Sequence, residues 1–307
     1  MDEAKVSFNF LIVGNTGKGK SATGNTITGQ RSFETSLGVN SLTNDIERVD
    51  SIHDGRKLTV VDSPGFIDSR LSPTEYLPVY FDYMNKAMRA SPQGYHAFLF
   101  VVRYGVRLTR EDEVTFNALR HCFGEEYFTR YGVLVVTFSD MYDPEENNGK
   151  SFSNWIHTEG GRLKEMKNKF GGRVVLFDNK NKDEAKRKAQ VDHLIEIVDQ
   201  LSVLDSGYSP EHFYLASDQR ERYLVEDKLP RIKLEVNKEI DLAHEKLEKI
   251  ASGETENRLT QLHSVRTTLV NLLTNIRHQD RDTGVLNGEM TAIQKVVDKI
   301  QQWIDSL

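Results

Sequence analysis

The sequence predicts an α/β domain with a mostly parallel central sheet flanked by helices, followed by an all-helical C-terminal extension. Three observations lead to this fold class. Short apolar runs alternate with helical stretches up to about residue 205, a glycine-rich loop directly follows the first apolar run, and strand-like runs end at about Tyr208. Such alternation is typical of α/β domains. We therefore expect one domain over residues 1–207 and a helical, coiled-coil-like region over residues 208–307.

The predicted strands are short and largely apolar, which suits strands buried on both faces of a parallel sheet. Helical stretches such as Arg110–His121 lie between them. The strands are Phe8–Val13, Leu58–Val61, Ala97–Val102, Gly132–Val136 and Arg173–Phe177. Open α/β sheets bind their ligands at the carboxyl ends of the strands, so we expect the site there.

Beyond Pro210, helical periodicity covers Glu211–Ala251, Glu256–Arg277 and Leu286–Ile304. The last segment carries an apolar seam at alternating spacings of four and three. The seam consists of Leu286, Met290, Ile293, Val297, Ile300, Ile304 and Leu307. Such a seam packs either on the neighbouring helices or first domain, or on another molecule, and three heptads do not decide between the two.

The composition limits the classes of function. Of the 307 residues, 38% are hydrophobic, which supports a core, and the formal net charge of -6 gives no electrostatic reason to expect a nucleic-acid partner. The single cysteine, Cys122, excludes an internal disulfide framework and fits a reducing compartment. The sequence has no signal-peptide pattern, no long apolar stretch and no C-terminal prenylation cysteine. We therefore expect a cytoplasmic protein without a transmembrane anchor.

The segment Gly14–Ser21 (GNTGKGKS) is the most informative part of the chain, because it fills the pattern G-x-x-x-x-G-K-[ST] between a strand and a helix. The backbone N–H groups of such a loop, and of the helix that follows, bind phosphates. Lys20 would reach the β- and γ-phosphates, and Ser21 would ligate Mg²⁺. The predicted nucleotide-binding residues here are Gly14, Asn15, Thr16, Gly17, Lys18, Gly19, Lys20, Ser21 and Ala22.

A second box, Asp62-Ser63-Pro64-Gly65, follows the strand Leu58–Val61 and matches the D-x-x-G arrangement of GTPases. Asp62 would hold Mg²⁺ through water, and Gly65 would offer its N–H to the γ-phosphate. Between the boxes, Thr43 is the first candidate to complete the Mg²⁺ shell in the triphosphate state and to act in catalysis, and Ser41 is the second.

Phe66 occupies the position after Gly65, where Ras-like enzymes use a Gln to orient the attacking water. A phenyl ring cannot do this. We therefore expect slow hydrolysis by the isolated protein and catalytic help from elsewhere, for example an arginine from a second copy.

A candidate guanine-reading loop follows the strand Gly132–Val136. Thr137-Phe138-Ser139-Asp140 resembles a degenerate [N/T]-K-x-D, in which Asp140 would accept hydrogen bonds from N1 and N2 of the base. Phe138 replaces the Lys that would stack on the base. Asn179 lies in a later loop, Asp178–Lys180, where a second base-contacting segment belongs.

Together these motifs resemble the GIMAP family (GTPases of immunity-associated proteins, also called IAN) over about residues 8–205. The segments that carry the resemblance are Gly14–Gly29 (GNTGKGKSATGNTITG), Ser41–Thr43 (SLT), Asp62–Asp68 (DSPGFID), His96–Glu113 (HAFLFVVRYGVRLTREDE), Thr137–Asp140 (TFSD) and Phe177–Lys180 (FDNK). The sequence departs from the pattern at Gly105-Val106-Arg107, one residue longer than the family's Gly-Arg. Met141 stands where some members carry the acidic base reader, which leaves the register of Asp140 open.

The resemblance implies a septin- and Toc-related P-loop GTPase domain that binds GTP or GDP with Mg²⁺ and dimerises or oligomerises through this domain. It also implies slow or dimer-stimulated hydrolysis, peripheral association with organelle membranes, and a role in immunity or defence. The C-terminal helices would contact protein partners. Arg107, two residues before Thr109, is the candidate for an arginine acting across a dimer; the alternative is an ion pair with Glu111 or Asp112.

Two rival classes of function stay open. The absent Gln is compatible with a scaffold that binds nucleotide without hydrolysing it. A P-loop ATPase or small-molecule kinase would also carry the phosphate loop, but the D-x-P-G box and Asp140 argue against it.

Overall fold

The structure, a computed structural model, describes residues 7–35, 45–65, 73–158, 161–204, 206–253 and 257–307. The chain divides into two compact units, with the boundary in the sequence between Ser217 and Asp218. The domain boundary expected from the sequence at residue 207 stays a prediction.

A six-stranded sheet forms the centre of the first unit, in the order β2-β3-β1-β4-β5-β6. All neighbouring strands are parallel except β2 and β3. The strands are β1 Phe8–Val13, β2 Glu47–His53, β3 Arg56–Asp62, β4 Ala97–Arg103, β5 Gly132–Thr137 and β6 Val174–Phe177. The predicted α/β class with a mostly parallel sheet is therefore confirmed.

Strand β2 was not predicted from the sequence. Its segment ERVDSIH contains no apolar run, because β2 is an edge strand and most of its side chains are at least partly exposed. It pairs antiparallel with β3, which places Glu47 opposite Asp62 and His53 opposite Arg56.

Eight helices surround the described part of the sheet. They are α1 Lys20–Thr28, α2 Pro73–Ala90, α3 Arg110–Phe123, α4 Glu125–Arg130, α5 Phe152–Thr158, α6 Gly161–Lys169, α7 Glu184–Leu204 and α8 Pro210–Leu215. One core cluster lies between the sheet and α1 and α7, and includes Phe8, Ile27 and Leu194. The opposite face is aromatic: the rings of Phe98 and Phe123 lie 4.4 Å apart.

The second unit consists of the helices α9 Ser217–Ala251, α10 Arg258–Asp280 and α11 Asn287–Asp305, which share one apolar core. The helix predicted over Glu211–Ala251 is therefore two helices, α8 and α9. The ring of Phe213 in α8 packs 6.0 Å from that of Phe123, which fixes α8 in the first unit.

The apolar seam of α11 packs inside this second unit. Leu286, Ile293, Val297 and Ile300 are buried in its core, with Met290 and Ile304 partly buried beside them, whereas Leu307 is 62% exposed. The seam thus contacts neighbouring helices of its own chain, the first of the two alternatives. Within the described ranges, no helix is both long enough and apolar enough to cross a membrane.

Candidate functional site

The loop from Gly14 to Gly19 connects the carboxyl end of β1 to the start of α1. Its glycines have positive φ angles, 137° at Gly14, 75° at Gly17 and 95° at Gly19. A Cβ atom at Gly14 would lie 2.6 Å from the carbonyl oxygen of Val101 in β4, so only glycine fits there. Gly19 is the N-cap of α1 and has no side chain to occupy the helix N-terminus. The loop therefore has the backbone shape of an anion-binding strand–loop–helix motif.

Lys20 begins α1 and is buried, with a relative exposure of 6%. Its Nζ donates to the carbonyl oxygen of Asn15 at 3.2 Å, so the side chain folds back over the loop. Burial lowers the pKa of Lys20 to about 8, and the nearby Asp62 carboxylate only partly opposes this change. A phosphate group beside Lys20 would supply the negative charge that its buried ammonium needs.

Asp62 ends β3 and is fully buried beside the phosphate loop. Its Oδ2 accepts a hydrogen bond from Ser21 Oγ at 2.6 Å, whereas its Oδ1 has no hydrogen-bond partner among the described residues. Burial raises the pKa of Asp62 to about 6, against the opposing effects of Lys20 and Ser21. A buried carboxylate with an unpartnered oxygen next to a hydroxyl fits a Mg²⁺ site, because Mg²⁺ prefers oxygen ligands.

Gly65 brings the second box against the phosphate loop. A Cβ atom at Gly65 would lie 2.7 Å from the Cα of Thr16 and would also collide with the Thr16 hydroxyl. Only glycine therefore lets the second box come this close to the phosphate loop, and the contact of Gly65 with the γ-phosphate stays a prediction. Thr43, Ser41 and Phe66 lie outside the described residues.

The loop after β5 also contacts the phosphate loop. The Thr137 hydroxyl lies 2.6 Å from the carbonyl oxygen of Lys18. Phe138 follows with a φ angle of 58°, an uncommon conformation for a residue with a large side chain. Two cations contact its ring: Arg103 lies 4.1 Å and Lys180 lies 5.7 Å from the ring centroid. These contacts attach the Phe138 ring to the end of β4 and to the loop after β6.

The two predicted base-reading residues differ in their surroundings. Asp140 is exposed in a short 3₁₀ turn, and Met141 beside it is 50% exposed. The Asn179 amide nitrogen donates to Thr23 Oγ1 at 3.0 Å, and its amide oxygen lies 2.8 Å from the hydroxyl of Thr26. Asn179 thus joins its loop to α1, and Asp140 is accessible to a ligand.

A groove of about 1160 Å³ opens beside the Asn179 loop. Its walls come from α1, the segment after α1, the β2–β3 turn and the start of α7, and include Ala22, Thr26, Phe33, Asn179 and Lys180. Ala22, predicted to contact the nucleotide, faces this groove. The groove and the phosphate loop therefore adjoin through α1.

Arg107 lies in the turn between β4 and α3 and is exposed. Its guanidinium forms no ion pair with Glu111 or Asp112 in the structure as described. Asp112 instead pairs with Lys18 at 2.9 Å. The side chain of Arg107 is therefore available for contact with another molecule.

Sequence reasoning missed the contact between α3 and the phosphate loop. Asp112 and Thr115 of α3 hydrogen-bond to Asn15, 97 and 100 positions away in the chain. The local signal was visible, because Thr109 and Asp112 form a capping box at the start of α3. The long-range partners were not, since only the pairing of β1 with β4 brings them together.

Comparison with known proteins gives a consistent result. A family model described as the AIG1 family matches residues 8–227. Immune-associated nucleotide-binding protein 1 of Arabidopsis thaliana is 31% identical over 206 residues, 65% of this chain and 86% of the relative. Immune-associated nucleotide-binding protein 8 of the same plant is 29% identical over 222 residues, 71% of this chain and 61% of the relative.

A mammalian protein and a solved structure are also similar. GTPase IMAP family member 8 of Mus musculus is 31% identical over 64% of this chain, but the match spans only 28% of that protein. Toc33 from Arabidopsis thaliana, solved in complex with GDP and Mg²⁺, is 18% identical with a TM-score of 0.47, over 66% of this chain and 86% of that one.

Proposed function

The chain belongs to the AIG1 family, and on that premise we propose that it is a guanine-nucleotide-binding GTPase that uses Mg²⁺. In this proposal GTP and GDP occupy the phosphate loop, and their exchange and hydrolysis switch the protein between two states. The names of its relatives, which include nucleotide-binding proteins and a GTPase, support this class of function.

The observation that carries the proposal is the geometry around Asp62. A buried carboxylate, a buried ammonium and a serine hydroxyl converge beside a glycine loop whose backbone can approach phosphates closely. Lys20 would bind the β- and γ-phosphates, Ser21 would ligate Mg²⁺, and Asp62 would hold it through water. The metal ion would neutralise phosphate charge. Thr43 would complete the Mg²⁺ shell and take part in catalysis.

Guanine recognition is assigned to the loops after β5 and β6. Asp140 would accept hydrogen bonds from the N1 and N2 groups of guanine, which adenine cannot donate at those positions. Thr137 and Asn179 would shape the pocket through their contacts with Lys18 and α1. A carboxylate in this position therefore favours GTP over ATP, because only guanine offers it two donors.

Hydrolysis is proposed to be slow in the monomer and faster in a homodimer or oligomer formed through the domain of residues 1–207. Phe66 cannot orient water, and the exposed Arg107 is free to enter a partner's site. An arginine supplied in trans stabilises transition-state charge strongly. Residues 208–307 would contact protein partners, with peripheral attachment to organelle membranes and a role in immunity as further proposals.

A thermal-shift comparison tests nucleotide binding. GDP with Mg²⁺ should raise the melting temperature of the wild type, and ATP with Mg²⁺ should not. In Lys20→Met the shift should disappear, because the ammonium that binds the phosphates is absent. Lys186→Met, an exposed lysine at the start of α7, should respond like the wild type. Equal shifts with ATP would favour the ATPase or kinase class.

A scaffold that binds GTP without hydrolysing it is the second candidate, and the Phe66 position favours it. The two functions differ in one measurement, phosphate release from GTP at rising protein concentration. Release per molecule that increases with concentration supports the GTPase. Absence of release, with tight GTP binding retained, supports the scaffold.

A further inference from the structure

Helix α3 begins with a capping box whose carboxylate is buried. The backbone N–H of Thr109 donates to Asp112 Oδ2 at 3.0 Å, and the backbone N–H of Asp112 donates to Thr109 Oγ1 at 3.3 Å. These two bonds make up a capping box, and an aspartate is seldom fully buried unless it is paired. Asp112 is nevertheless only 1% exposed, so a second set of contacts must compensate for its burial.

The second set of contacts comes from the phosphate loop. Lys18 Nζ donates to Asp112 Oδ2 at 2.9 Å, and Asn15 Nδ2 donates to Asp112 Oδ1 at 2.8 Å. The oxygen of the same Asn15 amide accepts from Thr115 Oγ1 at 2.6 Å. Both oxygens of Asp112 and both polar atoms of Asn15 are thus used in fixing the loop to the first turns of α3.

The same turn continues into the segment that holds Arg107. Asp112 caps α3 through Thr109, and Arg107 precedes Thr109 by two residues. The Lys18 side chain binds Asp112, whereas that of Lys20 folds back over the loop to the Asn15 carbonyl oxygen, so the two lysines have different roles. A shift of Lys18 or Asn15 would leave a buried carboxylate unpaired, which is costly, so the loop and the turn must move together.

We propose that Asp112 is a positioning residue that fixes the conformation of the phosphate loop through Asn15 and Lys18 and couples nucleotide binding to the segment carrying Arg107. This inference rests on the proposed function. Since coupling between sites is reciprocal, contact of the Arg107 segment with another molecule would also alter nucleotide affinity.

Titration with fluorescent GDP and Mg²⁺ tests the positioning role on the full chain. Asp112→Asn should raise the dissociation constant at least fivefold, since a preorganised loop binds more tightly than a mobile one. Lys18→Met should have a similar effect. The double variant should bind GDP no more weakly than the weaker-binding single variant. Both substitutions break the same contact, the one between Lys18 and Asp112. Glu113→Gln, which alters only an exposed pair with Arg162, should stay within twofold of the wild type.

Hydrogen exchange of the peptide over residues 104–115 separates coupling from a purely structural role. GDP should slow exchange of this peptide in the wild type, and the slowing should be absent in Asp112→Asn while the phosphate loop is still protected. If Asp112→Asn does not fold, Lys18→Met cuts the same contact from the loop and should give the same result.

Three results would overturn the inference. The first is that Asp112→Asn and Lys18→Met bind GDP within twofold of the wild type. The second is that their effects on the dissociation constant multiply in the double variant, and the third is that GDP protects residues 104–115 equally in all variants. Each of these leaves the proposed function intact. A wild type that binds no guanine nucleotide would remove both the proposed function and this inference.

Discussion

The hydroxyl of Ser21 lies 2.6 Å from Oδ2 of Asp62, and this hydrogen bond joins the first turn of α1 to the end of β3. The two side chains come from the two phosphate-binding boxes, 41 residues apart in the chain. The bond compensates only one oxygen of a fully buried carboxylate, so the burial of Asp62 has an energetic cost. The first prediction measures that cost.

Asp62→Asn should stabilise the nucleotide-free protein. The folded-state pKa of Asp62 is raised to about 6, above its usual value of 3.8. The folded state therefore binds a proton more tightly than the unfolded state, and the free energy of unfolding falls as the pH rises from about 4 to about 6. Removing the charge should raise the free energy of unfolding by up to about 3 kcal/mol above pH 6, and should leave it unchanged near pH 4.

The measurement for Asp62→Asn is urea unfolding at several pH values, followed by tryptophan fluorescence. Trp155 lies in the first unit and Trp303 in the second, so a Trp303→Phe background reports on the first alone. With Mg²⁺ and GTP present, the wild type should be more stable than Asp62→Asn, the reverse of the order without nucleotide. A variant less stable than the wild type at pH 7 without nucleotide would contradict the prediction.

Asp140→Asn should change base selectivity. In the proposed function the carboxylate accepts hydrogen bonds from N1 and N2 of guanine, whereas an amide can donate to the O2 that xanthine carries in place of N2. The variant should bind GTP at least tenfold more weakly and XTP at least tenfold more tightly than the wild type, by competition against fluorescent GDP. Asp143→Asn, an exposed acidic residue three positions later, is the matched control. If Asp143→Asn shows the switch instead, the reader is misassigned.

Arg107→Ala should abolish the dependence of GTP hydrolysis on protein concentration. At low concentration the rate per molecule should match that of the wild type, and at high concentration it should be at least tenfold lower, because the transition-state charge loses its partner. Phosphate release measures both regimes. Arg110→Ala changes another exposed arginine nearby and should behave as the wild type. Unchanged stimulation in Arg107→Ala would exclude this residue as the source.

Asp280→Ala should destabilise the second unit alone. The carboxylate ends α10 and is 4% exposed; it accepts from the backbone N–H groups of Gly284 and Leu286, each at 2.8 Å. Losing these bonds leaves the buried N–H of Leu286 unpaired and should cost about 2 kcal/mol. In a Trp155→Phe background, Trp303 fluorescence should report earlier urea unfolding, with GDP affinity unchanged. Asp298→Ala, exposed on α11, should have little effect, and equal losses in both variants would contradict the role of Asp280.

Much of the fold was predictable because burial on both sheet faces leaves apolar runs in the sequence. That signal identified β1, β3, β4, β5 and β6, and the family resemblance read from the motifs is confirmed by the family match. It failed for β2, an edge strand whose side chains are mostly exposed or only partly buried. It also missed the end of α8 at Leu215, because no glycine or proline separates α8 from α9.

The candidate site was predictable where one motif contains all of its parts, as in Gly14–Ser21. The Ser21–Asp62 contact followed from two motifs placed at neighbouring strand ends. The Asp112 contacts with Asn15 and Lys18 could not be inferred, because a capping aspartate looks the same in sequence whether it is solvated or buried. The contacts of the Phe138 ring with Arg103 and Lys180 likewise depend on the end of β4 and on the loops after β5 and β6.

Competition for bound fluorescent GDP in the presence of Mg²⁺ tests the central claim most directly. Unlabelled GTP and ATP would be titrated separately against the wild-type complex. Displacement by GTP at concentrations at least a hundredfold below those needed for ATP is the predicted result, because the loops after β5 and β6 are proposed to recognise guanine. Equal displacement by ATP, or no binding of the labelled GDP, would contradict the assignment as a guanine-nucleotide-binding protein.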